Sequence, residues 1–201
     1  MSTKADHTIE YYDTNAAEYA ATTVDAPMAG TVSRFTELLP KEGKVLDFGC
    51  GSGRDTKYFL EHGFKVDALD GSAELAKLAS EYTGIEVKTV LFQDFDETDR
   101  YDGIWACACL LHLNENDLKD VLGRLHQALK NGGVLYVSFK YGDYQGNRAG
   151  RYYNYMNEKG FSAILEDING LKIIKTWLGE DSLGRENADR WFNILMRKTA
   201  K

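Results

Sequence analysis

The sequence is short of the residues that mark several classes of protein. Only two prolines, Pro27 and Pro40, occur in 201 residues, and no repeat, low-complexity tract or linker divides the chain. A single domain spanning 1–201 is therefore expected. No uninterrupted apolar run approaches the roughly 20 residues that cross a bilayer. The opening "MSTKADHTIE" also has no apolar stretch of a secretory signal. A soluble, cytoplasmic protein without membrane contact is expected, as a monomer or homodimer. Cysteine is scarce: Cys50, Cys107 and Cys109 lack the paired spacings of a zinc site or a disulfide framework. The Cys-x-Cys pair lies in an apolar run and reads as reduced core thiols, and no metal site is expected. Basic charge is lacking too, with 24 Lys and Arg against 31 Asp and Glu, a net charge of -7. That balance argues against binding a phosphate backbone, so no nucleic-acid partner is expected.

What is present is an alternation of short apolar runs and amphipathic stretches between Lys44 and Val137, the sequence form of parallel strands joined by crossover helices. Strands are predicted at 44–48, 65–69, 85–91, 101–108 and 134–139. Helices are predicted at 54–62, closed by Gly63, at 72–81 with Ser72 as N-cap, and at 115–130, ended by "NGG". The fold class is α/β. Met28, Val32, Phe35 and Leu39 recur at helical spacing after Pro27 and before Pro40, which predicts a helix over 27–38. With the aromatic segment Tyr11 to Tyr19 ahead of it, residues 1–39 read as an amino-terminal cap on a core of 40–201. "LKIIKTW" (171–177) and "RWFNILMR" (190–197) predict two strands joined by "LGEDSLGRENAD", a hairpin at the sheet edge.

Within this pattern "LDFGCGSGRD" (46–55) stands out. Gly49, Gly51 and Gly53 fall in the turn that leaves the first strand and enters a helix, where an open parallel sheet receives nucleotide-like ligands. Asp70, at the end of the second strand and 19 positions past Gly51, is spaced to accept from ribose hydroxyls. A dinucleotide fingerprint wants glycine at the sixth place of the loop, and Arg54 stands there. The residues therefore favour a different adenosine ligand over NAD, with a nucleotide-dependent oxidoreductase kept as an alternative.

The loop, with the acid Asp47 before it, resembles the first motif of the class I S-adenosylmethionine-dependent methyltransferases. The resemblance continues in order through Asp70, "QDF" (93–95), "LLHL" (110–113) and "NGGVLYVSFK" (131–140). It is most similar to the small bacterial tellurite-resistance-like methyltransferases. The resemblance implies a Rossmann-like doubly wound sheet of seven strands, mostly parallel with a C-terminal antiparallel hairpin strand and helices on both faces. It implies S-adenosylmethionine as cofactor and S-adenosylhomocysteine as product. It places Asp47, Gly49, Cys50, Gly51 and Gly53 at the methionine end, Asp70 and Gly71 at the ribose, and Asp94, Phe95 and Leu111 at the adenine. A binding module without catalysis remains the alternative from another class. His112, beside the expected methyl group, is the candidate general base, with a role in shape or hydrogen bonding as its alternative; His7, His62 and His126 carry no such signal.

The acceptor is expected to be a small molecule, with a carboxylate or similar anion favoured. "KYGDYQGNRAGRYYNYM" (140–156) has glycines at 142, 146 and 150 and predicts a loop over the carboxyl ends of the strands, near 141–156, carrying Arg148, Arg151, Tyr152, Tyr153 and Tyr155. Arg185 and Trp191 come to the same rim from the closing hairpin, and Tyr12 and Tyr19 from the cap, which the resemblance implies is a lid, with plain packing of the tyrosines on the sheet edge as the alternative. Two readings stay open for the arginines: bidentate binding of an anionic acceptor, or a solvated network with Glu180, Asp181, Glu186 and Asp189.

Overall fold

The computed structural model describes residues 4–185 and 188–199; Glu186 lies outside the described residues. Its strands are β1 (Lys44–Phe48), β2 (Lys65–Asp70), β3 (Val87–Thr89), β4 (Tyr101–Ala106), β5 (Leu129–Lys140), β6 (Gln145–Arg148), β7 (Arg151–Asn154), β8 (Leu171–Gly179) and β9 (Trp191–Lys198). Seven of them form one sheet in the order β3-β2-β1-β4-β5-β9-β8, and β6 and β7 pair separately. Strands β1 to β5 run parallel, β9 is antiparallel to β5, and β8 is antiparallel to β9. β8 therefore points the same way as the first five, and the β8–β9 turn lies on the rim of their carboxyl ends. The chain leaves β1 toward β2 on one side and returns to β4 on the other, which opens a crevice above β1.

The helices are α1 (Lys4–Thr14), α2 (Ala16–Thr23), α3 (Ala29–Thr36), α4 (Arg54–Glu61), α5 (Ala73–Thr83), α6 (Glu115–Ala128) and α7 (Glu158–Glu166). Strand alternation sorts the core into two layers. Leu46, Phe48, Ile104 and Ala106 face α6 and α7, which contribute Leu118, Leu122, Leu125 and Phe161. Val45, Trp105 and Tyr136 point the other way, onto Val32 and Phe35 of α3 and Phe59 of α4. Trp105 stacks on Tyr136 at 3.8 Å. Burying a side chain of this size contributes about 2–3 kcal/mol. Among the described residues no helix is long and apolar enough to cross a membrane.

Three segments depart from the sequence expectation. Helix α6 ends at Ala128, and Asn131 to Gly133 lie in the irregular opening of β5, where the register against β4 shifts between Tyr101 and Gly103. Helix α7 was not predicted, although its signals are in the sequence: Asn157 caps it by accepting from the Gly160 N–H (2.9 Å), and Phe161 and Ile164 form its buried stripe. Residues 141–156 form no irregular loop but the β6–β7 hairpin. Its turn is Ala149 and Gly150, both at positive φ (49° and 79°), the two-residue geometry that matches strand twist. Alanine rarely adopts that conformation, so the turn lacks its usual Asn-Gly signature.

Candidate functional site

The loop between β1 and α4 is left-handed at each glycine, with φ of 75° at Gly49, 55° at Gly51 and 79° at Gly53. A Cβ at Gly49 would lie 2.6 Å from Cys109 Cβ, and one at Gly53 would lie 2.9 Å from Thr83 Cγ2. These two glycines allow close packing. A Cβ at Gly51 would meet only the Tyr19 ring, at 3.2 Å; this glycine keeps a cavity clear. The Asp70 carboxylate braces the loop from β2, its Oδ2 accepting from the Gly51 N–H (2.8 Å) and its Oδ1 from the Ser72 N–H (2.9 Å). Burial raises its pKa against the backbone N–H groups of Ser72, Gly51 and Gly71, which lower it. Asp47, on β1 beneath the loop, accepts from the Thr56 hydroxyl at Oδ2 (2.6 Å), and burial and then Asp55 raise its pKa.

Two adjoining cavities open over this rim. The first, about 680 Å³, is lined by Asp70, Gly71, Phe92 and Gln93, and by Thr8 and Ile9 of α1. The second, about 1250 Å³ and open to solvent, reaches from Asp47 and Arg54 to Lys140, Arg151, Tyr153, Arg185 and Trp191. Tyr12, Tyr19, Gly49, Gly51, Cys107 and His112 border both, so Tyr12 of α1 and Tyr19 of α2 stand where the cavities meet. Their rings pack edge to face at 5.2 Å.

His112 follows β4 in the short turn 110–112. Its Nδ1–H donates to the Tyr152 carbonyl (2.7 Å), which leaves Nε2 to accept from the Tyr12 hydroxyl (2.9 Å). Burial pulls its pKa down to about 4, with the Arg151 and Lys140 charges acting the same way. The imidazole is neutral near pH 7 and its lone pair is already taken. It does not face the acceptor cavity as a free base but ties α1 to the rim.

The arginines separate. Arg148 is exposed and interacts with Tyr155 (3.1 Å) and Asp189 (3.6 Å). Arg185 forms a fork on Asp181 at 2.9 and 2.7 Å, and Arg190 lies 3.6 Å from Glu180. For these three the solvated network is what the structure contains. Arg151 differs. Its guanidinium lies against the rings of Tyr11 (4.4 Å), Tyr153 (5.3 Å) and Tyr12 (5.6 Å), and Nη1 donates to the Tyr12 hydroxyl (3.3 Å). Its Nε is buried without a hydrogen-bond partner, and no carboxylate among the described residues pairs with it.

Other expected positions fall differently. Asp94 is exposed and Phe95 is buried against Phe48, both outside the two cavities. A 3₁₀ turn over Phe92–Asp94 directs Phe92 and Gln93 inward instead. Leu111 lines the second cavity rather than the first. Tyr152 does not line the acceptor cavity: β7 alternates, so Arg151 and Tyr153 share the cavity face and Tyr152 turns away. Cys107 is not a core thiol but lines both cavities, while Cys50 and Cys109 are buried. Burial lifts the Cys107 thiol to about 12, which keeps it protonated. Phe92, Gln93 and Lys140 were missed, and Tyr153, expected on the rim, does line the second cavity. Among the described residues no group of side chains could hold a metal ion.

This geometry, a crevice over a glycine turn at the switch point of a sheet with a C-terminal antiparallel strand, defines the class: a Rossmann-like methyltransferase fold. The methyltransferase-domain family matches residues 20–175, and the chain belongs to that family. It is 36% identical over 103 residues to N-terminal Xaa-Pro-Lys N-methyltransferase 1 of Danio rerio, covering 47% of this chain and 46% of that protein. The chain spans about half the length of the curated relatives it matches. Among solved structures it is similar to Burkholderia thailandensis 1,6-didemethyltoxoflavin-N1-methyltransferase, bound there to 1,6-didemethyltoxoflavin and S-adenosylhomocysteine. The TM-score is 0.80 at 24% identity, over 100% of this chain and 92% of that one. It is also similar to N-methyltransferase NodS of Bradyrhizobium japonicum with S-adenosylhomocysteine, at TM-score 0.71 and 16% identity over 94% of this chain and 98% of that one. These likenesses are of fold.

Proposed function

We propose that the protein is an S-adenosylmethionine-dependent methyltransferase acting on a small anionic molecule. The first cavity fits the adenosine part: Asp70 lines it and, beyond its backbone N–H bonds, keeps acceptor capacity for a ribose hydroxyl, while Phe92 and Gln93 supply a ring face and a polar edge for the base. When bound, S-adenosylmethionine supplies a methyl group on a sulfonium whose departure leaves a neutral thioether. The chain's own task is then to orient the acceptor and exclude water. α1 and α2 serve as the lid, with Tyr12 and Tyr19 closing over the place where the two cavities meet. His112 holds Tyr12 in that position and takes no proton in this arrangement.

The observation that carries the anionic acceptor is Arg151. A buried N–H without a partner costs about 1–3 kcal/mol. The same guanidinium has no counter-charge among the described residues, whereas Arg54, Arg185 and Arg148 have theirs. A carboxylate entering the second cavity, which Arg151 lines, would supply the counter-charge. Lys140 and Arg185 at the same cavity are held by Asp189 and Asp181, so the preference for an anion over a cationic acceptor rests on Arg151.

The test is transfer of labelled methyl to a metabolite set split into anionic, neutral and cationic members, with an Xaa-Pro-Lys peptide included. Anionic members should be labelled, and Arg151→Ala should raise their KM about tenfold or more while S-adenosylhomocysteine affinity stays near wild type. Lysine at this position should rescue only partly, since an ammonium cannot make the two-pronged contact. Labelling confined to the peptide, or a neutral acceptor turned over equally by wild type and Arg151→Ala, would refute the anion site. Calorimetric binding of NAD without S-adenosylhomocysteine would refute the cofactor.

A further inference from the structure

Strand β7 alternates, and the two residues it turns into the second cavity are Arg151 and Tyr153. Arg151 carries the unpaired charge, and Tyr153 carries a second unspent group. The Tyr153 ring is fixed on several sides. The His112 ring lies at 5.1 Å, the Lys140 ammonium and the Arg151 guanidinium at 5.3 Å each, and the Tyr155 ring edge to face at 6.2 Å. Three of these neighbours are themselves held, His112 by the Tyr152 carbonyl, and Lys140 and Tyr155 by Asp189. Tyr153 is 6% exposed, and a phenol buried this far ordinarily has a hydrogen-bond partner. Tyr12 spends its hydroxyl on His112 (2.9 Å), Tyr136 on Asn193 (2.7 Å) and Tyr155 on Asp189 (2.7 Å). The Tyr153 hydroxyl has no such partner among the described residues. Its oxygen is not enclosed by protein either, so the little exposure the residue has is at the cavity it lines.

Burial holds this phenol above its ordinary pKa of 10, against the pull of Arg151 and, more weakly, of Arg148 and Arg185. It is therefore an O–H donor near pH 7. A neutral donor beside an unpaired guanidinium complements a carboxylate, which has one oxygen for the charge and another for the O–H. A neutral amide would turn its own NH2 donor toward one of the two. We propose that Tyr153 is a specificity-determining residue whose hydroxyl donates to the acceptor's carboxylate beside Arg151, so that β7 reads this group with two residues two positions apart. The proposal rests on the anionic-acceptor reading above and adds the residue that takes the second oxygen. The hairpin register, set by the turn at Ala149 and Gly150, is what puts both donors on one face.

Binding to the S-adenosylhomocysteine complex tests this without turnover. The probes are benzoate and benzamide, alike in shape and different in charge, titrated by calorimetry. Wild type should bind benzoate about tenfold tighter than benzamide or more. Tyr153→Phe keeps the ring and its packing and removes one oxygen. It should weaken benzoate about tenfold and benzamide less than about threefold, with S-adenosylhomocysteine affinity near wild type as the report that the site is folded. Arg151→Ala should also weaken benzoate, and the double variant should lose less than the product of the two single losses, because both donors act on one carboxylate. Unchanged benzoate affinity in Tyr153→Phe beside a loss in Arg151→Ala overturns the role of Tyr153 alone. An equal loss for both probes, or losses that simply multiply, overturns it as well. Wild type that takes benzoate no tighter than benzamide overturns the anionic reading, and the inference with it, whereas wild type that forms no S-adenosylhomocysteine complex overturns the cofactor reading.

Discussion

Replacing His112 with glutamine should flatten part of the acid sensitivity of folding. In the native state the ring is buried, its Nδ1–H is held by the Tyr152 carbonyl and its Nε2 by Tyr12, and its pKa is pulled from 6.5 to about 4 by burial first and by nearby cations second. The unfolded chain therefore takes up the proton more readily than the folded one. Stability from this group is complete above pH 6.5 and is lost as pH falls toward 4. A native value of about 4 against 6.5 corresponds to about 2 kcal/mol lost at pH 5 and about 3 at pH 4. Asp47 and Asp70, whose carboxyls burial raises, work in the opposite sense, since a buried carboxyl is favoured when protonated. The useful quantity is therefore wild type minus His112→Gln, read from urea unfolding at pH 7.5, 6 and 5. Glutamine offers an acceptor to Tyr12 and a donor to Tyr152 but does not titrate. The difference should shrink by about 2 kcal/mol between pH 7.5 and 5. A difference that stays constant would show that His112 is not held neutral, and the reading of it as a latch rather than a base would fall.

Asp70→Asn should weaken S-adenosylhomocysteine binding by roughly ten- to a hundredfold, measured by calorimetry, because a charged acceptor of hydroxyl donors is lost; unchanged affinity would place the ribose elsewhere. Asparagine is the milder choice, since it keeps an acceptor for one of the Gly51 and Ser72 N–H groups, whereas alanine strips both. Gly51→Ala should cost about 1–2 kcal/mol for a left-handed alanine, fold, and bind the cofactor poorly. Gly49→Ala should cost about 1–3 kcal/mol more from its contact with Cys109, and equal thermal unfolding of the two variants would contradict that ranking. Arg151→Ala, read as described above, separates acceptor binding from cofactor binding.

The parallel sheet was legible because its causes are local. Val45, Leu46 and Phe48 in β1, the three glycines of the turn and Ser72 as the cap of α5 each act within a few residues, and the Ser72 hydroxyl does accept from the Leu75 N–H at 3.1 Å. The loop sequence itself demanded positive φ, and Asp70 lay at a fixed distance from it along the chain. Side-chain direction at the acceptor end was not legible in the same way. Whether Tyr152 or Tyr153 meets the cavity depends on the register of a hairpin closed by Ala149 and Gly150, and one residue of slip would exchange them. Which arginine lacks a counter-ion was likewise a tertiary matter. Arg148, Arg151 and Arg185 are alike in sequence, and only the packing of α1, β7 and the β8–β9 turn assigns Asp189 and Asp181 to two of them and a ring of tyrosines to the third. The sequence determined where a ligand can approach the backbone, because glycine conformation is local. Tertiary structure decided which charges remain unspent, because a counter-ion comes from elsewhere in the chain, as Asp189 does for Lys140, 49 positions away.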